Sequence, residues 1–163
     1  MKQLFNIAVI SLICLMIASC GQKQKTQEQE SQEFRAALTE TDTTEMLQKC
    51  NECMELLQKK DIEGALAMLK EYDDSTKTVS DLSAETRQRY TRLFTLFPVL
   101  KYNLSNFTFM MEGLNDVKYE VIFAEESNPE VNGEPKTFFM FNPVRVDDQW
   151  YVTVKRGDQS IHN

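Results

Sequence analysis

The stretch Asp147-Asp148-Gln149-Trp150-Tyr151-Val152-Thr153-Val154-Lys155 decides the fold. An acidic turn runs straight into a segment in which Trp150, Val152 and Val154 alternate with Tyr151, Thr153 and Lys155, the period of a strand with one buried face. Upstream, Phe138-Phe139-Met140-Phe141 is apolar on both faces, so that strand is either covered twice or turns its outer face to a partner. Pro143 then requires a bulge or an edge position. Further back, Val117, Tyr119, Val121 and Phe123 share one face, with Lys118 and Glu120 on the other. The alternation of Phe107, Phe109 and Met111 precedes it, across a turn from Glu112 to Asp116 that contains Gly113. Ser127 to Pro135, with Asn128-Pro129 and Asn132-Gly133, reads as a longer hairpin connection, and 157–163 as a polar tail that frays.

Before Pro98 the period becomes helical. Asp42 followed three residues later by Glu45 reads as a capping-box start, and Met46, Cys50, Cys53, Met54 and Leu57 then fall on one face of a helix from about 43 to about 60. Asp61 caps a shorter helix carrying Ala65, Leu66, Leu69 and Tyr72, and the polar stretch 73–81 reads as a surface loop. Ser83 caps a third helix with Tyr90, Leu93, Phe94 and Phe97 on its apolar face, ended by Pro98. The turn around Lys59-Lys60-Asp61 resembles that of a tetratricopeptide helix pair, but it occurs once, and a solenoid needs stacked copies. The expectation is an α+β domain over 42–156, with three N-terminal helices packed on a curved four-stranded antiparallel sheet.

At the other end of the chain, Lys2 and the apolar run from Leu4 to Ile17 have the form of a secretory signal over 1–19. A permanent span needs about 20 apolar residues, and this run is interrupted by Asn6 and Ser11 and gives way to polar residues after Gly21. Ile17-Ala18-Ser19-Cys20-Gly21 resembles the lipobox of bacterial lipoproteins. The resemblance implies a diacylglyceryl thioether on Cys20, cleavage before it and acylation of the new amine, so that two or more acyl chains hold the protein on a membrane. Gly21 to Glu33 contains no apolar residue, so 20–41 is expected to be a flexible polar tether. The whole is similar to small lipoproteins of the Bacteroides group. Gly21 in place of Asp implies the outer membrane, and Gln22-Lys23-Gln24-Lys25, which is not acidic, implies its periplasmic face rather than surface display.

Composition narrows the chemistry. A formal net charge of −7, made one unit more negative when Lys2 leaves with the signal, repels nucleic acid. The single histidine, His162, stands in the expected tail, which leaves no His-based acid/base scheme and, with Cys50 and Cys53, too few ligands for zinc. No glycine-rich phosphate loop is present, and no cofactor is expected. Cys50-Asn51-Glu52-Cys53 has redox-motif spacing but lies on a helix's apolar stripe. It reads as two core thiols, a local disulfide or a redox pair. Met54 follows Cys53 where haem attachment requires His. Asp42-Thr43-Thr44 and Asp74-Ser75-Thr76 resemble short O-glycosylation sites of Bacteroides-type bacteria.

Three helices followed by a curved sheet ending in Asp147-Asp148-Gln149-Trp150-Tyr151-Val152 resemble the cystatin-like cone of the nuclear transport factor two superfamily, over residues 42–156. That resemblance implies a pocket between the concave sheet face and the helices, used for catalysis in some members and for binding or dimerisation in others. Phe109, Tyr119, Phe123, Phe138, Met140 and Trp150 are the candidate pocket or interface residues. The expected function is that of a lipid-anchored, non-catalytic binding module for an unknown small molecule or protein, including a second copy through the sheet face. The alternative is an isomerase- or hydrolase-like enzyme using a buried carboxylate or tyrosine, with Tyr102, Tyr119 and Asp116 as candidates. If the lipobox reading holds, Cys20→Ser leaves the signal attached and abolishes palmitate labelling; intact-mass analysis of the membrane fraction checks it, and unchanged processing refutes it.

Overall fold

A computed structural model describes residues 26–125 and 134–155, and in it the acidic turn is a hairpin with Asp147 and Asp148 both left-handed at φ 50 and φ 60. Two consecutive positive φ values mark a type I′ turn, whose twist suits the strands it joins. The signal, Cys20, residues 20–25, most of the 127–135 connection and the tail with His162 lie outside the described residues.

The described chain is α+β, with four helices and a six-stranded mixed sheet. In chain order the elements are α1 (Gln27–Ala37), α2 (Glu40–Gln58), α3 (Ile62–Met68), β1 (Leu69–Asp73), β2 (Thr78–Asp81), α4 (Ala84–Leu96), β3 (Lys101–Met111), β4 (Leu114–Ile122), β5 (Lys136–Val146) and β6 (Gln149–Val154). The strand order is β2-β1-β6-β5-β4-β3. From β3 to β6 the expected antiparallel meander is present. The two strands beyond it correct the sequence reading.

Leu69 and Tyr72 continue the helical period of Ala65 and Leu66, which is why they read as helix. In the structure α3 stops at Met68, and Leu69 and Lys70 pair in parallel with Val152 and Thr153 of β6. The ladder offered by a neighbouring strand outweighs a local period that can satisfy only one short turn of helix. β1 then turns back on β2 through Asp73, whose Oδ1 accepts from Ser75 N (2.9 Å) and Ser75 Oγ (2.6 Å), so the polar stretch read as a loop is largely a hairpin.

The tether reading also meets a helix. Thr26 and Gln29 form a reciprocal capping box, Glu28 and Glu30 suit the first turn and Arg35 the last, and α1 results. It has no buried residue; Phe34 is half-buried against the core, and Ser31 Oγ donates to Met110 O of β3 (2.5 Å). Likewise α2 starts earlier than expected, because Thr39 is its N-cap and Asp42 the third residue of the box.

The core lies between the helices and one face of the sheet. Met46, Cys50, Cys53, Met54 and Leu57 of α2 meet Val117, Tyr119 and Val121 of β4, Phe139 and Phe141 of β5, and Trp150 and Val152 of β6. Where the β4–β5 ladder stops at Val117 and Phe141, side chains replace ladder bonds. Asn142 Oδ1 accepts from Asn115 N (2.8 Å), Asn142 Nδ2 donates to Gly113 O (3.0 Å), and Asn115 Nδ2 donates to Pro143 O (2.9 Å). Gly113 sits at φ 78 against Tyr72, where a Cβ would come 2.3 Å from the ring. Pro143 is accommodated in β5 opposite Val152. Asn142→Ala leaves two buried backbone groups unpaired, at a cost of about 1–3 kcal/mol each; urea unfolding is expected to show that loss, and a midpoint unchanged within error contradicts the account.

Candidate functional site

Asp42 is the buried carboxylate among the described residues, 7% exposed. Its Oδ2 accepts from Thr39 N (2.9 Å) and Thr39 Oγ1 (2.7 Å). Its Oδ1 accepts from Trp150 Nε1 (3.3 Å) and faces Arg145 Nη1 (3.3 Å), while Arg145 Nη2 reaches Asp148 Oδ1 (3.0 Å). The Thr39 backbone and hydroxyl donors, helped by Trp150 and Arg145, outweigh burial and hold this carboxyl below the usual carboxylate range. An ionised group with both oxygens taken ties α2 to the β5–β6 hairpin. At neutral pH it has no proton to donate.

The aromatic candidates divide between the two faces of the sheet. Tyr119 is fully buried, and its hydroxyl donates to Asn51 Oδ1 (2.6 Å). Its ring meets Tyr102 at 5.8 Å and Phe141 at 6.0 Å between centroids. Burial pushes its phenol well above the ordinary tyrosine value, and burial raises Tyr102 as well. Phe109 packs on the buried Trp150 at 5.9 Å, and Phe123 on Phe97 at 5.0 Å. These four are packing residues of the helix-facing side. Phe138 and Met140 point to the other side: Phe138 is 49% exposed, with Lys118 Nζ 4.1 Å from its ring centre, and Met140 lies opposite Lys118 in the ladder. The six therefore do not line one pocket.

Asp116, the carboxylate proposed for acid/base work, is ion-paired to Lys155, whose ammonium is pushed below the usual lysine value by burial. Lys155 forms one wall of a cleft of about 380 Å3 with Glu71, Tyr72, Asp73 and Arg89. Glu71 Oε1 accepts from Ser83 Oγ (2.9 Å), Asp73 is engaged by Ser75, and Arg89 lies 5.3 Å over Tyr90. A second hollow, about 170 Å3, is lined by Leu57, Ile62, Phe94, Pro98 and Val99. Cys50 and Cys53 are free and fully buried; Cys53 Sγ donates to Ala65 O (3.9 Å). Burial raises both thiols, that of Cys53 to about 12, which suppresses the thiolate a redox exchange requires. Asp42-Thr43-Thr44 lies in the first turn of α2, with Thr44 Oγ1 donating to Glu40 O, whereas Asp74-Ser75-Thr76 is an exposed turn between β1 and β2.

A feature the sequence reading missed lies on β3. Leu104 faces Tyr119 across the ladder and Phe107 faces Val117, so both point to the helix-facing side, yet they are 40% and 39% exposed. Met110 is 41% exposed. Register shifts between Leu104 and Asn106 and between Phe109 and Met111 break the alternation, so a simple period-two count does not find the strip.

No protein-family model matches the chain, and no curated protein matches it. Among solved structures it is similar to a Campylobacter jejuni protein provisionally described as an NTF2-like transpeptidase, at 14% identity and TM-score 0.39, covering 64% of this chain and 93% of that one.

The lowered carboxyl of Asp42 gives a stability contribution that is complete above about pH 4, the unfolded carboxylate's range. It is lost as pH falls through the lower folded value. Asp42→Asn is expected to cost about 1.5–3 kcal/mol at pH 7 and to flatten the acid limb of a stability profile; an acid limb like that of the parent protein contradicts the assignment.

Proposed function

We propose that the chain is a non-catalytic interaction module, a cystatin-like cone held at the periplasmic face of an outer membrane by acyl chains on Cys20, which contacts a partner through the strip along β3. The observation that carries this reading is that Leu104 and Phe107, on the helix-facing side of the last strand in the described sheet, stay exposed while Tyr119 and Trp150 are buried inside. Apolar side chains grouped on one surface strip suit recognition rather than solvation. The order of elements supports the cone, and the lipobox-like Ile17-Ala18-Ser19-Cys20 supports the anchor. The competing enzyme reading rests on a buried carboxylate. Asp42 is buried, but four donor atoms from Thr39, Trp150 and Arg145 leave it committed to structure.

A photoreactive amino acid placed at Phe107 of the intact membrane-bound protein is expected to give discrete adducts that the same group at Gln88, on the exposed side of α4, does not. Equal labelling at the two positions, or none at either, overturns the reading.

A further inference from the structure

Resting on that reading of β3, we propose that its partner is a second copy of this chain, joined by antiparallel pairing of the two β3 edges into one continuous sheet. Among the described residues β3 is the last strand in the order β2-β1-β6-β5-β4-β3, and β4 is the strand it pairs with. Along its other side, no described strand meets the alternate N–H and C=O groups. Edge strands are ordinarily guarded by shortness, proline or charge. β3 is 11 residues long, and Tyr102 to Met111 contains neither a proline nor a charged side chain. At about 3.4 Å per residue such a strand presents roughly 37 Å of edge.

Charge argues for a copy of the same chain and for the direction of pairing. A chain of net charge −7 repels itself over most of its surface, so a neutral strip is where two copies can approach. The strip is bounded by Lys101 at its start and Glu112 at its end. Antiparallel pairing sets each Lys101 end beside the other copy's Glu112 end, whereas parallel pairing sets like charge against like. Lys101 already reaches Glu134 at 2.7 Å, but that ion pair is exposed and its exchange costs little. A two-fold axis through the sheet keeps Leu104 and Phe107 of both copies on the same face, so the two strips merge, and the contact closes at two copies. At the far end Ser31 of α1 occupies Met110 O, which confines the pairing to Tyr102 through Phe109.

The test uses the full chain in its own membrane, with one surface cysteine added and a short bismaleimide as the probe. Pairing over Tyr102 through Phe109 puts Asn106 beside the two-fold axis and Lys101 at the far end, both exposed. Antiparallel self-pairing brings the two Asn106→Cys thiols together and holds the two Lys101→Cys thiols apart, so covalent dimer is expected from the first and at least roughly tenfold less from the second. Adding Phe107→Lys to Asn106→Cys places a charge on the edge and is expected to reduce the dimer about tenfold. Equal dimer yields at the two positions overturn the pairing, as does an Asn106→Cys adduct formed only with a different protein. That last result leaves the interaction reading standing, whereas the absence of any adduct at β3 removes both.

Discussion

The hydrogen-bonded carboxylate of Asp42 is the constraint on which the arrangement of helices over sheet depends. It closes the N-terminus of α2 through Thr39, receives Trp150 from β6 and Arg145 from β5, and so fixes where the long helix begins relative to the hairpin that ends the described chain. Its separation of 108 positions from Trp150 makes this a purely tertiary contact. Because the charge is surrounded by donors, burial strengthens those hydrogen bonds rather than neutralising the group.

From that anchor the packing of α2 follows. Its apolar stripe, which includes the two buried thiols, lies on Tyr119, Phe139 and Phe141, and Asn51 accepts the Tyr119 hydroxyl. The same filling that stabilises the core uses up the aromatic residues that a pocket would have needed. The exposed apolar surface of the sheet's helix-facing side lies at its margin. α2 covers the middle strands, α1 leans on the Met110 end of β3, and the stretch between them keeps Leu104 and Phe107 at the surface.

The hairpin of β3 and β4 shows how the margin is shaped. Asn115 and Asn142 exchange side-chain bonds with backbone where the ladder stops, Gly113 accepts a left-handed φ beneath Tyr72, and two register shifts twist β3. The strand these devices shape, from Tyr102 to Met111, carries neither proline nor charge. An unguarded edge of this kind is more easily explained by a contact than by solubility.

Local pattern alone determined much of the fold: the strict alternation at Trp150, Val152 and Val154, that at Val117, Tyr119 and Val121, and the helical stripe from Met46 to Leu57 all mark faces that are buried. Each of these signals is contained within a few residues, because burial of one face imposes its own period. Tertiary structure decided the rest. Leu69 became a strand because Val152 was there to pair with it, Asp42 became a tie because Trp150 and Arg145 converge on it, and Phe138 parted from Tyr119 because neighbouring residues in a ladder fix each side chain's face. The exposed strip on β3 was hidden for the same reason: its two register shifts are set by the geometry of pairing with β4, which no count along a single strand contains.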